Sequence, residues 1–125
     1  MRKAFTLLEL LVVIGIIAVL VSLGTFSYTT AQKKARDTKR KGDLHAIQNS
    51  LEQYYSICGF VYPVPGGSSY TSIVCTSPSM AIMPTVPSDP RATPYICSGC
   101  TNSEYSLCGT MESESPTSYC VTNQQ

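Results

Sequence analysis

No proline occurs before Pro63, no cysteine before Cys58, and the chain of 125 residues holds one histidine, His45. Charge is sparse too: 14% of residues are Asp, Glu, Lys or Arg, and the formal net charge is +1. Each scarcity excludes something. A chain this close to neutral has no global excess of basic side chains for holding nucleic acid. One histidine, no serine or cysteine nucleophile motif and no glycine-rich phosphate loop leave no catalytic constellation. His45 stands between Leu44 and Ile47 in a helical pattern and reads as a helix-face residue. The sequence therefore reads as a non-enzymatic chain with no cofactor.

What is present is segregated. Residues 1–42 carry eight basic and two acidic side chains, a net of +6; residues 43–125 carry Arg91 and six acidic side chains, a net of −5. An apolar run extends from Phe5 to Phe26, interrupted by Thr6, Ser22, Thr25, a few small residues and one carboxylate, Glu9. As a helix this run is about 33 Å long, enough to cross a hydrocarbon core of ~30 Å. Arg2 and Lys3 precede it and place the short N-terminus in the cytoplasm, with the rest of the chain outside. A cleaved secretory peptide is the rival reading. The run exceeds the usual apolar region of ~7–15 residues, and the nearest small-residue cleavage site is Ser22–Gly24. Glu9 is the anomaly, since an isolated ionised side chain in lipid costs roughly 2.5–3.5 kcal/mol even on lenient insertion scales.

Helix-forming sequence continues from Phe26 to about Ile57, rich in Ala, Lys, Arg, Gln and Leu. Tyr28, Ala31 and Ala35 fall at helical spacing, as do Leu44, Ile47, Leu51, Tyr54 or Tyr55, and Cys58, so the segment reads as one stripe of an amphipathic helix. Between the two sets lies KKARDTKRKGD, which holds six of the nine basic residues. It reads either as a solvated helix face, with Lys33–Asp37 and Lys39–Asp43 at i, i+4, or as a contact for acidic groups of another copy: Glu52, Asp89, Glu104, Glu112 and Glu114. Gly42 reads as a soft point.

Beyond Cys58 come all eight prolines and five of the eight glycines. GFVYPVPGGSSYTSIVCTSPSMAIMPTVPSDP reads as mostly loop with a short strand or helical turn, and Asp89 within it as a turn residue. TPYIC, EYSLCGT and SYCVT read as an antiparallel meander packed on the Leu44–Tyr55 face. All six cysteines lie in this exported part, which favours disulfides. Six cysteines allow 15 pairings. The favoured set is Cys58–Cys75, Cys97–Cys100 and Cys108–Cys120. The Cys97–Cys100 C-x-x-C also admits zinc or redox use, although His45 is remote and a thioredoxin-like βαβ context is lacking.

KAFTLLELLVVIGIIAVL resembles the processing and methylation site of type IV pilins and type II secretion pseudopilins. KARDTKRKGDLHAIQNSLEQYYS resembles the helix of major pseudopilins, and PTVPSDP with TPYIC and EYSLCGTMES resembles their proline-rich loop and short sheet. The similarity covers most of the chain and is weakest at 59–80 and 110–125. It implies a leader at residues 1–4, cleavage between Ala4 and Phe5, N-methylation of Phe5, and an assembly role for Phe5 and Glu9. The implied fold is α+β and pilin-like: a core helix over 5–26, an amphipathic continuation over 27–57, and a disulfide-stabilised region over 58–125 with a sheet of about three to four short strands.

The implied function is the structural subunit of a pilus-like filament; the alternatives are a secretion pseudopilin and a non-polymerising, membrane-anchored binding domain. The implied partners are further copies of the chain, prepilin peptidase, an assembly platform with its ATPase, and the membrane. The implied location is the bacterial cytoplasmic membrane, then a surface filament. Two positions depart from the family: Ala4 where most members have glycine, and no proline midway along the apolar helix, where Gly15 and Gly24 are the weak points. Some secretion pseudopilins bind calcium in a late loop; here 109–118 offers Glu112, Glu114 and serines but no aspartate, and no metal site is assigned.

Overall fold

The computed structural model describes residues 4–125, apart from the side chain of Phe26. The rest of the expected leader, residues 1–3, lies outside the described residues.

A single helix, α1, runs from Leu7 to Ile57, 51 residues without a break. It starts where Thr6, in extended backbone, accepts a hydrogen bond on its hydroxyl from the Glu9 amide (3.2 Å). Threonine followed three residues later by glutamate is the capping-box pattern, so Glu9 occupies the first turn. The helix passes through Gly42, the expected soft point, without interruption. It stops at Cys58 because Gly59 turns to φ +92°. The Phe60 amide then reaches back to the Tyr55 carbonyl (3.0 Å), and the two rings meet edge to face at 5.7 Å. This glycine-led reversal with its apolar contact is a Schellman-type stop.

Five short strands follow, in two sheets. β1 (Ile73–Thr76) and β2 (Ser79–Met83) form an antiparallel hairpin with a register shift between Ile73 and Val74. The proline-rich segment thus holds two strands, one more than the sequence pattern predicts. β3 (Ile96–Ser98), β4 (Ser106–Thr110) and β5 (Ser118–Thr122) form an antiparallel meander in the order β3-β4-β5. The fold is α+β, with three disulfides: Cys58–Cys75, Cys97–Cys100 and Cys108–Cys120.

The core lies between the second half of α1 and the two sheets. Leu44, Ile47 and Leu51 are fully buried against Tyr62, Tyr70, Ile73, Tyr95, Tyr105, Leu107 and Val121. Each such aliphatic side chain contributes roughly 1.5–3 kcal/mol by leaving water. β4 lies so close to the helix that a Cβ on Gly109 would sit 3.2 Å from Leu44 Cδ1. Tyr28, Ala31 and Ala35 do not share this core and are exposed. At about 100° per residue, Leu44 is turned some 160° from Tyr28, so the two apolar sets lie on opposite sides of α1.

Candidate functional site

Two regions carry the functional argument: the bare apolar end of α1 and the cluster that fixes the globular part to its other end. From Leu7 to Leu23 every residue is exposed, with Leu7 at 81% and even Val13 at 47%. The helix is long and apolar enough to cross a membrane. Phe5 is exposed and just precedes the helix. A carboxylate at Glu9 complements the positive end of the helix dipole, worth typically ~0.3–1 kcal/mol. That offsets part of the expense of placing it in an apolar segment. Ala4, Phe5 and Glu9 therefore cluster at one tip, far from every cysteine.

The basic stretch is not simply a solvated face. Asp37 and Arg40 are 0% and 2% exposed. Arg40 donates to Asp37 (2.7 Å), to both carboxylate oxygens of Asp89, and to Glu112 (2.7 Å). Arg36 grips Glu112 through two bonds (2.9 and 2.6 Å), and Arg91 reaches it at 2.9 Å. Asp37 also accepts from the amides of Glu112 and Ser113 and from the Ser113 hydroxyl (2.6 Å). Burial raises the pKa of Asp37, but these donors outweigh it and hold its carboxyl well below the usual range. Bonds from Arg36 and Arg40 draw Glu112 down to about 2. Lys41 pairs with Glu114 (2.6 Å).

Three readings need correction. Asp89 does turn the chain, accepting from the Arg91 amide (2.8 Å), yet it is also a buried partner of Arg40. Lys33–Asp37 and Lys39–Asp43 do not pair: Asp37 is taken by Arg40 and Asp43 accepts from Tyr95 (2.8 Å). Of the acids considered for contacts between copies, Asp89, Glu112 and Glu114 are held within the chain, and Glu52 accepts from Tyr62, Tyr105 and the Gln124 amide. The only hint in the sequence is Asp37 and Arg40 at i, i+3.

His45 bridges Gln48 and Tyr119 at 3.1 Å each. The Cys97–Cys100 sulfurs are bonded to each other. Among the described residues no group of three or more His, Cys, Asp or Glu could hold a metal ion, and the late-loop glutamates face arginine and lysine.

Comparison with known proteins bears on this apolar end of α1. Residues 1–25 match the prokaryotic N-terminal methylation motif. The motif indicates a type IV pilin-like or pseudopilin precursor. A membrane-anchored pilin-like precursor fits the exposed apolar end of α1. No curated protein and no solved structure matches the chain.

Proposed function

We propose that the chain is the structural subunit of a type IV pilus-like filament. It is made as a single-pass precursor, cut between Ala4 and Phe5, N-methylated at Phe5, and polymerised through its apolar helix. The observation that carries this reading is the all-round exposure of the apolar half of α1, interrupted by one acid. Such a surface is satisfied by lipid before assembly and by the same surface of other copies afterwards. Cleavage leaves an ammonium at Phe5, and Glu9 of a neighbouring copy is its counter-charge. Each charge alone is costly in an apolar bundle, and together they demand one geometry, which sets the axial register. The assembly platform and its ATPase supply the work of moving subunits out of lipid.

A major pseudopilin of a type II secretion system is the second reading, and one observation favours it. The stretches that resemble major pseudopilins are those that build the buried ion cluster: Arg36 and Arg40, Asp89, and Glu112.

The deciding experiment is N-terminal mass spectrometry on filaments sheared from expressing cells. Loss of MRKA and a single methyl on Phe5 are expected. Intact Met1 in filaments overturns the cleavage, and a folded chain that never leaves the membrane favours the non-polymerising binding domain. Deleting the gene separates the first two readings: loss of surface pili marks a pilin, and loss of protein secretion marks a pseudopilin.

A further inference from the structure

The tip of the globular part is apolar and open to solvent. Beyond the end of α1, Phe60, Val61 and Val64 are 71%, 39% and 55% exposed and line an open cleft with Tyr55 and the 100–103 turn. Glu104 closes that turn: its backbone bonds Thr101, while its side chain is exposed and makes no ion pair among the described residues. With Asp89, Glu112 and Glu114 consumed internally, Glu104 is the one acid considered for contacts between copies whose carboxylate stays unengaged.

A complementary surface lies on the neck of α1. Tyr28, Ala31 and Ala35 form an exposed stripe turned away from the globular core. Lys34 and Lys39 flank it, both exposed and without an ion pair among the described residues. By helical rise, Lys39 is about 24 Å and Lys34 about 32 Å before Tyr55, beside which the 100–103 turn lies. The tip of a chain cannot touch its own neck.

We infer that the Phe60/Val61/Val64–Glu104 tip of one copy seats on the Tyr28/Ala31/Ala35 neck of another, with Glu104 facing Lys34 and Lys39. The occupant is a second copy because both halves belong to this chain: each supplies an apolar patch, and the unengaged charges are opposite in sign. The inference rests on the filament reading above and adds the contact outside the apolar bundle.

The test is carbodiimide cross-linking of sheared filaments, read by peptide mass spectrometry. An amide between Glu104 and Lys34 or Lys39 is expected, absent in Glu104→Gln, and it must join two copies because of the separation above. Glu104→Lys sets like charges together and should lower filament yield about fivefold, the scale of one surface pair. Adding Lys34→Glu and Lys39→Glu should restore it. Intact disulfides by non-reducing mass, in each variant, show that the fold survives. No such cross-link in filaments of the unaltered chain, with normal filament yield from Glu104→Lys, overturns this contact but leaves the filament reading standing. Lysine reversals that loosen only the monomer's hold on anionic vesicles assign the neck to lipid headgroups and also overturn it. Absence of filaments from the unaltered chain overturns both.

Discussion

The Arg40 guanidinium on α1 and the Asp89 carboxylate in the proline-rich loop face each other through two hydrogen bonds, buried, 49 residues apart in sequence. This pair ties the loop before β3 to the helix. Asp37, one turn earlier, ties down the segment after β4 by accepting from Glu112 and Ser113. The globular part is held to α1 by charge at one end and by apolar packing at the other.

Removing the central cation should therefore be severe. Arg40→Met leaves the buried Asp37 and Asp89 carboxylates without their counter-charge, a loss of about 3–5 kcal/mol. Urea unfolding of the full chain in detergent, followed by near-ultraviolet tyrosine dichroism, measures it. Lys39→Met, one residue away and exposed, should stay within ~0.5 kcal/mol of the parent.

The same cluster predicts acid lability. Asp37, Asp89 and Glu112 all have carboxyls held below their ordinary values in the folded chain. The folded state thus binds protons less readily than the unfolded state, so stability is complete above the unfolded carboxylate pKa of about 4 and is lost as pH falls. For Glu112 the loss runs from about pH 4.5 down to about 2. The urea midpoint should be level from pH 5 to 8, within the usual plateau of about 5–8, and fall steadily below. A midpoint indifferent to acid would mean that the cluster contributes nothing.

At the alkaline end the sign reverses. Burial first, and then the hydrogen bond to Glu52, pushes the Tyr62 phenol up to about 12; burial alone does the same for Tyr70. Their protonated forms are favoured by folding, so this stability is present below the unfolded value of about 10 and is lost between about 10 and 12. Phenolate absorbance during a pH titration should show these tyrosines ionising together with unfolding.

Gly59 ends the helix at φ +92°, in backbone that costs a residue with a Cβ roughly 1–2 kcal/mol. Gly59→Ala should destabilise the fold by that amount, read as a lowered thermal midpoint, while leaving the Cys58–Cys75 bridge formed in unreduced peptide maps. Gly66→Ala, with nothing within 4 Å and no positive φ, is the matched control and should be near neutral.

Glu9→Val tests the assembly chemistry. The apolar segment becomes more hydrophobic, so membrane insertion should hold or improve, and the distant disulfides should form as before. In the proposed filament the ammonium at Phe5 would lose its partner, about 3–5 kcal/mol for one half of a buried pair, or at least a hundredfold per contact at ~1.4 kcal/mol per tenfold. Folded monomer in the membrane and few or no filaments by electron microscopy are expected. Normal filament numbers would mean that Glu9 serves only as a first-turn carboxylate.

Much of this was determined by local chemistry and is legible in the sequence. An apolar run, helix formers without a proline, and a glycine directly after Cys58 are sufficient for a helix of this length, because helical hydrogen bonds close within four residues. The strands in TPYIC, EYSLCGT and SYCVT announce themselves through β-branched and aromatic residues between turn formers. The Leu44–Tyr55 face is also legible as the one the meander covers, but only the tertiary structure decided that the Tyr28 set stays outside. The Tyr28 and Leu44 sets have the same spacing, and only the arrival of β4, close enough to press Gly109 against Leu44, separates core from surface. It alone turned Asp37 and Arg40 from a charged helix face into a buried cluster. A carboxylate and a guanidinium one turn apart are equally at home in water, and their burial depended on Asp89, Glu112 and Ser113 returning from far along the chain with matching hydrogen bonds.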